Sequence, residues 1–74
     1  MVNDAGSDRW QQGRRVAAAR ALRGLRQWEL AKLLHVERSH ISRIEHGERR
    51  VTPDLARRIA TVLGTTPEYL LEGK

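Results

Sequence analysis

Residues 27 to 46, QWELAKLLHVERSHISRIEH, constrain this chain more than any other stretch. Apolar side chains stand at Leu30, Leu34, Val36, Ile41 and Ile44, and small Ala31 sits where a second helix would have to cross closely. Gln27, Arg38, Ser39, His40, Ser42 and Arg43 fall between them, and all six carry hydrogen-bonding groups. The pattern predicts two short helices joined by a tight turn. Packing the pair uses only the apolar points. The polar set is left over, largely on the outward face of the second helix, where it is free to meet base edges.

A chain of 74 residues allows one small domain. It has no cysteine, which excludes a disulfide framework and a Cys-based zinc site. No apolar run is long enough to span a membrane, and the N-terminal MVNDAGSDRW lacks the apolar stretch of a secretory signal. The expectation is a soluble cytoplasmic protein with no membrane partner. The net charge is +5, and 12 of the 14 basic residues are Arg. Arginine suits bidentate contact with phosphate and guanine better than lysine does. It also simply solvates helices, so composition leans towards a polyanionic partner without establishing one.

Along the chain, residues 1–9 are small, polar and unpatterned and read as a mobile arm, with residues 10–74 as the folded domain. Trp10 either packs back on the domain or reaches a partner. Residues 13 to 23, GRRVAAARALR, form a helix that Gly24 ends. Helix two runs from Gln27 to Leu34, the turn is His35-Val36-Glu37, and helix three runs from Arg38 to His46, stopping at Gly47. Thr52-Pro53-Asp54 is a start signal: a hydroxyl cap, proline at the first helical position, then an acid. That fourth helix ends at Gly64 with Leu55, Ile59, Ala60 and Leu63 inward. Thr66-Pro67-Glu68 repeats the signal for a short fifth helix, Pro67 to Leu71. The fold class is all-α: a compact bundle of five helices containing a helix-turn-helix.

Three segments then carry a resemblance: GLRQWELA (24–31), VERSHISRIEHG (36–47) and LARRIATVLGTTPEYLLEG (55–73). In this order and spacing, residues 13 to 73 resemble the phage repressor and Cro family, the XRE-type helix-turn-helix proteins with a lambda-repressor-like domain. The resemblance implies double-stranded DNA as partner. It implies that Gln27 touches backbone phosphate at the start of the first motif helix. It puts base readers at Arg38 and Ser39, with Ser42 and Arg43 one turn on. It puts phosphate contacts at Arg49 and Arg50, and it matches Arg20 and Glu45 to a buried ion pair found in some members.

Elementary chemistry supports these roles. A helix N-terminus offers free amides to phosphate, and Gln27 stands at one. An arginine at Arg38 can bond bidentately to guanine O6 and N7, worth about 1–3 kcal/mol of discrimination. Ser39 specifies little alone, and Arg43 suits a base or a phosphate equally. His40 faces the expected groove and is a backbone or thymine-methyl contact. Trp28 is an outward aromatic whose indole N–H donates to phosphate or whose ring covers a neighbouring helix.

Three departures from the family pattern stand out. His35 occupies a turn position where glycine is usual and positive φ is common. Arg26 and Glu37 stand where Ser or Thr caps are preferred, and a lost cap costs about 1 kcal/mol. Glu37 is also repelled by phosphate unless it accepts from a cytosine amino group. The three histidines make no ligand set, so no metal is expected. No phosphate-cradling glycine loop, nucleophile elbow or cleft is present, so neither an enzyme nor a cofactor is expected. Arg57 and Arg58 read as a solvated face.

One recognition helix reads too little DNA for genomic specificity. A homodimer on a palindromic operator, with half-sites about 34 Å apart, solves this. Tyr69, Leu70 and Leu71 are the expected interface, with Val62 or Leu22 nearby. One of Leu70 and Leu71 closes the core; the other, or Tyr69, is exposed. The function expected is a transcriptional repressor of the phage, restriction–modification controller or antitoxin kind. The rival is a protein-binding module of the same fold, such as a toxin-binding antitoxin, with Trp10, Trp28 and Tyr69 as its surface.

Overall fold

The computed structural model describes residues 5–74, with side chains from Asp8 onward. Five helices follow in order: α1 Ala5–Leu22, α2 Gln27–Leu34, α3 Arg38–Glu45, α4 Pro53–Leu63 and α5 Pro67–Glu72. The boundaries of α2 and α4 fall where the sequence puts them, and α3 and α5 differ by one residue. Both proline starts have a physical cap. The Thr52 hydroxyl accepts from the Leu55 amide at 3.2 Å and the Thr66 hydroxyl from the Tyr69 amide at 3.1 Å. Arg26 and Glu37 make no side-chain cap. For α2, Glu29 compensates by accepting from the Arg26 amide at 2.7 Å. His35 takes a left-handed conformation, φ 59°, and closes α2 as the glycine usual there would.

α1 differs from expectation. It begins at Ala5, whereas the sequence reading starts it at Gly13. Residues 1–4 of the expected arm lie outside the described residues; from Ala5 the chain is helical. Gly13 is not a helix start but a crossing point. It is buried mid-helix, and a Cβ there would overlap the Ile44 carbonyl oxygen. A glycine inside a helix costs about 1 kcal/mol against alanine; here it lets α1 lie directly on the C-terminal end of α3. Gly47 serves the same approach one turn on. Its φ is 74°, and a Cβ would stand 3.0 Å from Trp10 Cα.

Val16, Leu30, Leu34, Ile41, Ile44, Ile59 and Leu70 are wholly buried and form the centre of the core. α1 packs on α3, α4 and α5, while α2 packs on α3 and α4. Arginines tie the ends of these helices together. Arg15 donates to the Leu70 and Leu71 carbonyls at 3.1 and 3.0 Å. Arg14 donates to the Glu45 carbonyl and Arg58 to the Leu34 carbonyl. Each meets a helix-end carbonyl at the negative pole of the dipole, and Gln12 Nε2 shares the Leu71 carbonyl at 3.3 Å. Arg58 thereby anchors the end of α2 from the exposed face of α4. Arg57 remains on that face, beside Asp54 at 3.3 Å.

Candidate nucleic-acid interface

α3 is clamped from beneath and open above. Ile41, Ile44 and Glu45 face inward and are buried. Arg38, Ser39 and Arg43 are exposed on the opposite side, and Ser42 is half-buried at its margin. The four residues expected to meet bases thus share one helix, with three of them exposed. Helical spacing does this: 38, 39, 42 and 43 alternate with the apolar 41 and 44 around the 3.6-residue turn.

The residues expected at the DNA backbone are more scattered. Arg49 and Arg50 are exposed in the loop after α3. His40 is half-buried and lines a recess with Arg43 and Arg49. Burial and then the Arg49 and Arg43 charges hold its imidazole pKa below the usual value, so the neutral ring is favoured. Trp28 is 52 % exposed on α2. Gln27 departs most from a simple phosphate ligand. It is half-buried, donates to Glu45 Oε1 at 2.9 Å, and accepts from Arg38 Nη1 at 3.2 Å.

Beneath the face, Arg20 and Glu45 form a bidentate pair. Arg20 Nε meets Glu45 Oε2 at 2.6 Å and Nη2 meets Oε1 at 2.9 Å. Arg20 Nη1 also donates to the Leu25 carbonyl at 2.8 Å. The pair ties α1 to α3 and to the loop entering α2. Hydrogen bonding to Glu45 raises the Arg20 pKa against the opposing effect of burial. Trp10, left open by the sequence, rests partly on the domain and is 47 % exposed. Arg14 stacks on its ring, 4.6 Å from the centroid, and Gly47 lies against its backbone.

Among the three residues expected at a dimer contact, Leu70 is withdrawn: it is wholly buried in the core. Tyr69 and Leu71 are half-buried against its edge. Leu22, only a secondary candidate, is 88 % exposed. It lines a shallow groove with Ala19, Leu63 and Tyr69. Leu33 on α2 is also exposed, an apolar surface residue that the sequence pattern does not point to. Among the described residues no group of three His, Cys, Asp or Glu side chains could hold a metal ion. No helix there is long and apolar enough to cross a membrane.

The helix-turn-helix family model matches residues 16–70. This chain belongs to the XRE-type helix-turn-helix family. Solved structures of similar fold include the restriction-modification controller protein C.AhdI from Aeromonas hydrophila. That protein is 32 % identical over 92 % of this chain and 99 % of its own, with a TM-score of 0.83. The clp gene regulator ClgR from Corynebacterium glutamicum is 26 % identical, covering 86 % of this chain and 68 % of its own, with a TM-score of 0.80. A hypothetical transcription factor from Neisseria shares the fold at 22 % identity and a TM-score of 0.81, over 96 % of this chain and 82 % of its own. A comparison with curated protein sequences gives no match. α2 and α3 both lie within the residues that the family model matches.

Proposed function

We propose that this DNA-binding helix-turn-helix protein is a transcriptional repressor that occupies a palindromic operator as a homodimer. The observation that carries the reading is the outer face of α3. Arg38, Ser39 and Arg43 stand exposed there above a wholly buried Ile41–Ile44 seam. Donors held on a rigid helix at this spacing suit base edges in the major groove. Arg49 and Arg50 flank that face and suit phosphate, adding affinity without sequence information. Occlusion of polymerase is the mechanism, and a cytoplasmic location goes with it. Two observations support the dimer: Leu22 projects into solvent, and Tyr69 lies beside it along an apolar groove. The likeness to a restriction-modification controller over nearly the full length of both chains favours the controller kind over a phage repressor or an antitoxin.

Selection of binding sites from random DNA tests this reading. The expected product is a palindrome whose half-sites are about 34 Å apart. Sedimentation on that DNA should give two chains per site. Recovery of no sequence preference would favour the rival reading, a protein-binding module whose surface is Trp10, Trp28 and Tyr69, of which Trp10 and Trp28 are exposed.

A further inference from the structure

α1 runs past its crossing with α3, and its earlier turns meet the loop that follows α3. Gly13 lies on the Ile44 carbonyl and Gly47 on Trp10, so the two segments approach closely. Gln12 then fixes the loop. Its Oε1 accepts from the Val51 amide at 3.4 Å, and its Nε2 donates to the Leu71 carbonyl at 3.3 Å. Val51 itself is buried in the core. Arg50, next to this anchor, is thereby held beside α1. Asp8, Arg9, Gln12 and Arg50 line a recess of about 180 Å³.

Two observations single this recess out. Arg9 and Arg50 bring two cations to it, and neither forms an ion pair among the described residues. The Arg9 Nε–H is buried and has no hydrogen-bond partner. A desolvated donor on a charged group is costly when no acceptor meets it. An anion at the guanidinium edge removes that deficit, because Nε and one Nη form a fork that matches two phosphate oxygens. The recess is smaller than the roughly 300–1,000 Å³ of pockets that enclose a small-molecule ligand. It suits one anionic group presented from outside. Arg50 also lines the neighbouring groove with His40 and Arg49, so the basic side chains continue from α3 through the loop to α1.

We propose that Arg9 and Arg50 form a phosphate clamp, braced by Gln12, that takes a backbone phosphate of the DNA outside the bases that α3 reads. The proposal rests on the DNA reading given above and extends the contact surface to α1. Such a contact adds affinity to every sequence alike and carries no base preference. Asp8 is exposed and lines the same recess. Its carboxylate repels the phosphate that the arginines attract, which supplies a variant of opposite sign.

The test uses the full chain with Arg9→Gln, which removes the charge, and Arg9→Lys, which keeps it. Asp8→Asn is the third variant, and thermal unfolding establishes that each is folded. Kd for the selected operator and for an unrelated duplex is measured across salt concentrations. Arg9→Gln should weaken both by the same factor and reduce the slope of log K against log salt by about 1 per chain. Arg9→Lys should keep the slope, and Asp8→Asn should tighten both duplexes by up to about fivefold at low salt. Phosphate ethylation interference locates the contact. One ethylated phosphate in each half-site, outside the bases that α3 reads, should block the wild type and leave Arg9→Gln indifferent. An unchanged slope and an unchanged ethylation pattern in Arg9→Gln overturn the clamp and leave the reading face of α3 standing. A wild type with no operator preference overturns the DNA reading, and the clamp with it. A shift of the Arg9 Nε–H resonance with inorganic phosphate, beside an unchanged ethylation pattern, overturns the DNA assignment in favour of a free anion.

Discussion

The arginines that bond within the fold and those left on the outer face of α3 and the loop after it are the same side chain put to opposite uses. Arg14, Arg15, Arg20 and Arg58 bond inward, to helix carbonyls or to Glu45, although Arg14 and Arg58 stay exposed. Arg38, Arg43, Arg49 and Arg50 are exposed, and among the described residues the Arg38 side chain bonds to Gln27 alone. The inner group answers a local need. Helix ends leave unpaired carbonyls, and a buried carboxylate requires a partner. The outer group answers no need within the chain, and that surplus marks it as the part directed at something else. A net charge of +5 therefore misleads if read as one uniform patch; a good share of the basic side chains hold the fold together.

The sharpest break in this comparison comes from the inner group. Arg20→Ala leaves Glu45, 3 % exposed at its side chain, without its cation. A loss of about 3–5 kcal/mol in unfolding free energy is expected, read by denaturant titration. An effect below about 1 kcal/mol would show that the pair does not fix α1 on α3.

Arg38→Ala should do the opposite. Stability should stay within about 0.5 kcal/mol, as for surface changes generally. Discrimination at one operator base pair should fall by about 1–3 kcal/mol, measured by competition between related DNA sites. A change in stability as large as that of Arg20→Ala would erase the distinction between the two groups.

Arg49→Ala and Arg50→Ala belong to the outer group but to its less specific part. Each should weaken binding to all sequences and reduce the slope of log K against log salt by about 1. Loss of preference for one base instead would move that residue among the base readers.

The smallest expected effect is a pH dependence at His40. Its pKa in the free protein lies below the usual imidazole value, held there by burial and by Arg49 and Arg43. DNA phosphates opposite those arginines would raise it. Binding then takes up a proton, so affinity should rise as pH falls through the DNA-bound pKa and level off below the free one. In the free protein the same depression makes stability fall as pH drops below the usual imidazole pKa, because the unfolded chain binds the proton more readily. Affinity measured from pH 8 to 5 should lose its slope in His40→Gln.

Much of this architecture was legible in the sequence, and what was not has definite causes. Thr52-Pro53 and Thr66-Pro67 announce their helices because the cap and the proline act within one turn. The face of α3 was legible because Ile41 and Ile44 reveal its register. The start of α1 was not: Gly13 looks like a boundary until the Ile44 carbonyl beside it is known. Which of Leu70 and Leu71 is buried turns on the direction of a six-residue helix, too short to carry a period. The destinations of Arg15 and Arg58 depend on carbonyls at 55 and 24 residues' separation, which no local pattern records. Gln27 was legible as important at the start of α2, but its inward bond to Glu45 exists only once α1, α2 and α3 are assembled.

Guanine N7 methylation interference on the selected operator tests the central claim most directly, because N7 lies in the major groove where Arg38 and Arg43 would reach. The account predicts that methylation blocks wild-type binding at guanines in two half-sites about 34 Å apart, and that Arg38→Ala becomes indifferent to one of those guanines in each half. Equal binding of methylated and unmethylated DNA by the wild type would contradict it.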